Sequence, residues 1–109
     1  MKRIFVESTV FQARVRKLGD LELLVTIQKS ILENPEIGEI VVGSGGVRKF
    51  RVGREGAGKS GGYRVYYFDL PDRNMTHLLA VYAKNEKENI SISERNGMKV
   101  EAKRLKGRR

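Results

Sequence analysis

Four basic residues between positions 49 and 84 are spaced so that a β-sheet would gather them on one surface. In the run Val47 to Val52, Lys49 and Arg51 point to one side of a strand while Phe50 and Val52 point to the other, because successive side chains alternate across a sheet. Arg64 alternates with Tyr63 and Val65 in the next run, and Lys84 follows Tyr82 on a shared face while Val81 and Ala83 point away. Those positions hold no carboxylate. Charged residues often do no more than solvate the open side of an antiparallel sheet. Such a side normally mixes signs, however, and four cations gathered alone repel one another unless phosphate lies over them. Such a surface suits a phosphate backbone; were that backbone RNA, its own 2′-hydroxyl could cleave it, and a protein would need only to orient the chain, assist proton transfer and stabilise charge on the phosphoryl oxygens. Arg64 suits the last task, since its planar fork binds two phosphate oxygens. Lys49, expected to be crowded by Arg51 and Arg64, is the candidate proton acceptor, because like charges favour the neutral form of an amine. Lys84 would protonate or neutralise the leaving oxygen, and Tyr82 would stack on a base or pack in the core.

Two other signals compete for attention. Gly53-Arg-Glu-Gly-Ala-Gly58-Lys59-Ser60 matches the G-x-x-x-x-G-K-[ST] pattern of a nucleotide-binding loop. That chemistry needs a helix beginning at the lysine, so that its amides face the phosphates. Here Gly61 and Gly62 follow, and then the β-branched and aromatic run Tyr63 to Phe68. The segment is expected to be a hairpin loop whose Arg54 and Lys59 reach a nucleic-acid backbone. With Arg48 and Tyr82 these are the further candidates for RNA contact. The lone His77 invites assignment as a base, but it has no partner nearby in sequence and is expected at a strand start after a turn.

The elements that would position these residues follow from periodicity. Lys2 to Val6 suits a strand, and Ser8 caps a helix that carries Phe11, Val15 and Leu18 on one face, shows Arg14 and Lys17 on the other, and stops at Gly19. Asp20 is expected to cap a second helix with the stripe Leu24, Ile27 and Ile31, ending before Pro35. The pattern then turns to glycine and alternation. A loop at Gly43 to Gly46, a strand Val47 to Val52, a second loop, a strand Tyr63 to Leu70, a turn at Pro71-Asp72 and a strand His77 to Lys84 are expected. Ser91 and Glu94 form a capping box for a C-terminal helix presenting Met98, Ala102 and Leu105. The expected fold is α+β: a small antiparallel sheet, mixed at the first strand, with an N-terminal helix hairpin and a C-terminal helix. With 109 residues, 39% of them hydrophobic, one domain over 1–109 is expected.

The charge balance supports a polyanionic partner. Twenty-two Lys and Arg against thirteen Asp and Glu give a formal charge of +9. The excess lies in two blocks, residues 41–68 and the basic helix end or tail 99–109, each with six basic residues against one acidic. The absence of cysteine excludes disulfide scaffolds, cysteine-ligated zinc and thiol catalysis. No stretch approaches the roughly 20 apolar residues of a membrane span, and Glu7 and Ser8 interrupt the opening apolar run, so a cytoplasmic chain with no membrane partner is expected.

Arg48-Lys-Phe-Arg-Val, Gly62-Tyr-Arg-Val-Tyr-Tyr-Phe and Leu79-Ala-Val-Tyr-Ala-Lys-Asn-Glu, in this order of elements, resemble the RelE-type toxins of bacterial toxin-antitoxin pairs, and the HigB branch most closely. The resemblance runs from Lys2 to about Leu105. It implies a metal-independent, cofactor-free endoribonuclease that cuts messenger RNA in the ribosomal decoding site and is silenced by a HigA-like antitoxin. By position it implies a catalytic set of Lys49, Arg51, Arg64 and Lys84. Two departures leave the general acid unassigned: Asn85 stands where well-studied members have arginine, and Ser91 where they have tyrosine. A non-catalytic nucleic-acid clamp and a ParE-type inhibitor of DNA gyrase are the other readings, and residue spacing alone excludes neither.

Overall fold

The computed structural model describes residues 2–53, 62–87 and 89–107. In chain order the elements are β1 (Ile4–Glu7), α1 (Thr9–Leu18), α2 (Leu23–Glu33), β2 (Glu39–Ile40), β3 (Arg48–Val52), β4 (Tyr63–Leu70), a 3-10 turn at Pro71–Arg73, β5 (Met75–Ala83) and α3 (Ile92–Gly107). The described strands form a five-stranded sheet ordered β1-β5-β4-β3-β2. Only β1 and β5 run parallel; the other neighbours are antiparallel. The architecture is the α+β arrangement expected, with a mixed sheet.

Both faces of the sheet are covered. On one side α1 and α2 bring Phe11, Leu23, Ile27 and Ile31 against Phe50, Val52, Val65, Tyr67 and Val81. On the other, Met98, Ala102 and Leu105 of α3 lie on Val47, Tyr66, Phe68, Leu79 and Ala80. A bulge adjusts the second layer: Tyr66 pairs with Ala80 and Tyr67 with Leu78, so Leu79 is an extra residue and joins Ala80 under α3.

The helix ends follow the local chemistry. Ser8 Oγ accepts the Phe11 amide at 3.0 Å, and Gly19 ends α1 in the left-handed region at φ 68°, where a side chain would be strained. Asp20 does not cap α2, contrary to expectation. Its Oδ1 accepts the Glu22 amide at 3.1 Å within the turn, and its Oδ2 accepts the Tyr63 hydroxyl at 3.0 Å. The carboxylate is thereby committed to holding the hairpin turn against β4, and α2 begins at Leu23. The buried stripe is accordingly Leu23, Ile27 and Ile31, with Leu24 only partly buried. Ser91 and Glu94 form the capping box as expected, at 2.8 and 3.0 Å.

Beyond shifts of one or two residues at the strand ends, two features of the sheet differ from expectation. Asn74, left-handed at φ 48°, completes the reversal after the 3-10 turn, so β5 is already extended at Met75. His77 is therefore not at the strand start but inside β5, paired with Phe68 on one side and Val6 on the other. The second difference is β2, which periodicity did not reveal. It is held by Gly38. The Gly38 amide donates to the Tyr67 hydroxyl at 3.3 Å, that hydroxyl donates to the Pro35 carbonyl at 2.8 Å, and Arg48 Nη1 donates to the Gly38 carbonyl at 2.6 Å. A β-carbon on Gly38 would lie 2.5 Å from the Lys49 carbonyl oxygen, closer than such contacts occur. Replacing Gly38 with alanine is therefore expected to force β2 from β3 and lower stability by about 1–3 kcal/mol, measured by urea unfolding.

Candidate nucleic-acid interface

The register of the central strands aligns the basic residues. Arg51 lies directly opposite Arg64, and Arg64 directly opposite Tyr82, so the three form a row across β3, β4 and β5. One step along β3, Lys49 pairs with Tyr66 on one side and with Glu39 of β2 on the other. Lys49, Arg51 and Arg64 line a pocket of about 170 Å³ together with Phe50, Glu39 and Asn89. The pocket opens on the α3 side of the sheet, because Phe50 and Val52 alternate into the opposite layer. No residue of α3 lines it.

The other candidates are placed differently. Lys84 follows the end of β5, and its amide donates to the Gly62 carbonyl at 2.9 Å, so it stays attached to the start of β4 but does not line the pocket. Arg48 lies on the opposite side of β3. There it binds the Gly38 carbonyl and, at 3.3 Å, the Glu36 carboxylate, which makes it a brace for the turn before β2. Arg54 and Lys59 lie outside the described residues. The described chain resumes at Gly62 and enters β4 at Tyr63, where a nucleotide-binding loop would continue as helix.

The expectation of a face without carboxylates is corrected by β2. Glu39 Oε1 lies 3.8 Å from Lys49 Nζ, so Lys49 is not crowded by cations alone. Two residues cannot display a period, which is why this strand escaped notice. The usable signal was the isolated Gly38-Glu39 pair between Pro35 and the glycine loop. Arg14, expected on the outer face of α1, is also turned inward. Its Nε donates to the Val81 carbonyl at 3.0 Å and its guanidinium pairs with Glu86, because α1 packs across β5 at this point.

Arg14 reaches further, to Tyr82. The guanidinium lies 4.8 Å from the Tyr82 ring centroid and the Lys87 ammonium 4.5 Å, while Tyr66 meets the ring edge-on at 6.3 Å. The Tyr82 hydroxyl donates to Glu94 Oε2 at 2.8 Å, and Lys87 Nζ donates to the same oxygen at 2.6 Å. Tyr82 thus joins β5 to α1 and α3 at the end of the cationic row. Burial, reinforced by the hydrogen bond to a carboxylate, pushes its phenol up to about 12, so it stays protonated. Burial acts in the opposite sense on Glu94, disfavouring its charge. The hydrogen bonds from Lys87, the Ser91 amide and Tyr82 outweigh it and hold the carboxyl down at about 2.

A carboxyl depressed on folding contributes stability that is present above the ordinary carboxylate range and is lost as pH falls toward its folded value. Glu94→Gln is therefore expected to be less stable than the parent at pH 6 and to close that gap progressively between about pH 4.5 and 2. Thermal unfolding across that range measures it.

Among the described residues no helix is long and apolar enough to cross a membrane. The model of a family described as the RelE toxin of the RelE/RelB toxin-antitoxin system matches residues 2–109. The fold is similar to that of E. coli toxin RelE in the free state, solved as a double arginine-to-alanine mutant: identity is 21%, TM-score 0.62, with 93% of this chain and 97% of that chain covered. The isolated E. coli RelE toxin gives 20%, 0.58, 91% and 98%. The intact E. coli RelBE toxin-antitoxin complex gives 21%, 0.57, 73% and 94%. At these identities the structures speak for the fold, and the family model speaks for descent: the chain belongs to the RelE toxin family of toxin-antitoxin systems.

Proposed function

We propose that this toxin is a ribosome-dependent endoribonuclease of the HigB branch, which cuts messenger RNA by attack of a 2′-hydroxyl on the adjacent phosphate. The observation that carries the reading is the register that sets Arg51 opposite Arg64 beside Lys49 in one open pocket. Opposed like charges are unfavourable in a sheet, and a phosphate between them turns that cost into binding. A general clamp would have no need for cations converging at one point, and neither would an inhibitor acting through protein contacts on gyrase.

In this reading the messenger backbone lies across the row. Arg64 and Arg51 donate to the non-bridging oxygens, which gain charge as the fifth bond to phosphorus forms. Lys49, the candidate proton acceptor beside them, takes the proton that the 2′-hydroxyl loses as its oxygen bonds phosphorus. Lys84, at the far end of the face, donates a proton to the leaving 5′-oxygen. The products are a 2′,3′-cyclic phosphate and a 5′-hydroxyl end, and charge and proton transfer from side chains suffice for the step. Arg48, Arg54, Lys59 and Tyr82 belong to the wider contact with RNA, with Arg48 and Tyr82 acting through the elements they brace.

Such an activity in the cytoplasm of its own host requires silencing. The E. coli relative is solved in an intact complex with the antitoxin RelB, and a HigA-like antitoxin is the partner proposed here. The helix hairpin exposes Leu21, Val25 and Leu32, which suits a partner that docks by apolar contact and blocks ribosome entry by bulk.

Arg64→Ala tests the reading. The variant is expected to remain folded and to lose growth arrest on induction, since removing one such donor raises the barrier by about 2.7–4 kcal/mol. A folded variant that is equally toxic would refute the assignment.

A further inference from the structure

We propose that Arg14 of α1 and Glu86 form a clamp that positions Lys84 as proton donor to the leaving oxygen. The inference rests on the nuclease reading above and deepens it. A lysine side chain is long and flexible, so its ammonium is placed only as well as the backbone beneath it. A proton donor must lie within hydrogen-bond reach of the leaving oxygen, and a displacement of about 1 Å can lower a rate by about 100-fold. Lys84 follows Ala83, the last residue of β5, and its place depends on the turn it begins.

That turn is closed reciprocally. The Glu86 amide donates to the Ala83 carbonyl at 3.1 Å, and the Ala83 amide donates to Glu86 Oε1 at 2.8 Å, with Lys84 and Asn85 between them. The Lys84 amide is held in turn by the Gly62 carbonyl at 2.9 Å. The same Glu86 oxygen pairs with the Arg14 guanidinium, whose Nε donates to the Val81 carbonyl at 3.0 Å. A planar fork suits this double task, because it bonds the strand and the turn in one fixed geometry. The Arg14 side chain is only 15% exposed, and its guanidinium also rests against the Tyr82 ring, so the fork itself is well fixed. α1 thus grips the end of β5 and the turn beyond it. Neither Arg14 nor Glu86 lines the cationic pocket, and both are positioning residues. In the step they serve, the P–O5′ bond breaks, the Lys84 ammonium gives its proton to O5′, and Lys84 regains a proton from water.

The test is single-turnover cleavage on programmed ribosomes by the full chain, with two messengers: the natural one, and one carrying sulfur in place of the bridging 5′-oxygen at the scissile bond. Thiols ionise near pH 8.5, far below alcohols, so the sulfur leaves without a proton donor. Glu86→Ala and Arg14→Met are expected to bind ribosomes and to unfold cooperatively like the parent. On the natural messenger they are expected to be about 10- to 100-fold slower, and on the sulfur messenger within about threefold of the parent. Lys84→Ala is expected to share this pattern, and Glu86→Ala added to it to cost nothing more, because the two residues act as a unit. A clamp that served only the fold would slow both messengers equally. That result, clamp variants or Lys84→Ala at the parent rate on the natural messenger, or multiplied losses in the double variant overturns the clamp and leaves the cutting of messenger standing. A parent that cuts neither messenger overturns both.

Discussion

The placement of Arg51 directly opposite Arg64 is the constraint on which the interface depends, and the sheet maintains it against electrostatics. Like charges facing one another across an antiparallel pair cost roughly 0.2–1 kcal/mol. The register nevertheless has no alternative, because a slip of one residue would carry every side chain of a strand to the wrong face. β4 cannot slip: Tyr63, Val65 and Tyr67 are packed under the helix hairpin while Tyr66 and Phe68 are packed under α3. The hydrophobic core on both sides thus enforces a cationic pairing that the surface alone would disperse.

The other side chains around the interface act as braces. Asp20 ties the hairpin turn to Tyr63, the residue immediately before Arg64. Arg48 and Tyr67 hold the turn that delivers β2. Glu94 closes the α3 capping box with one oxygen and takes Tyr82 and Lys87 with the other, so α3 is anchored to the strand carrying the end of the row. A capping box of this kind would exist in any helix. Here the same carboxylate also joins secondary to tertiary structure, which is why its charge is so strongly favoured.

What could be read from the sequence was whatever had a period or a local chemical rule behind it. Tyr63–Leu70 could be bounded at both ends, because β-branched and aromatic residues fill five of the eight positions between a glycine and a proline. Ser8, Gly19, Ser91 and Glu94 are local rules and behaved as such. The division of Lys49 and Arg51 from Phe50 and Val52 followed from alternation, and the same alternation places Arg48 away from the pocket. The residues that escaped were those whose role is set by a distant partner. Asp20 looked like a helix cap until β4 offered it a hydroxyl, and Arg14 looked solvated until β5 offered it a carbonyl. Glu39 escaped because its strand is two residues long and exists only through contacts made from β3 and β4.

We propose that the row of Arg51 and Arg64 cuts messenger RNA on the ribosome. The most direct measurement is to map the chemistry and position of new 5′ ends after the purified chain is added to ribosomes stalled at a defined codon. The ends are expected to carry a 5′-hydroxyl, to fall within the decoding-site codon, and to be absent when the same messenger is offered without ribosomes. Intact messenger in the presence of a chain that still stops growth would contradict it and move the search for a target to another machine.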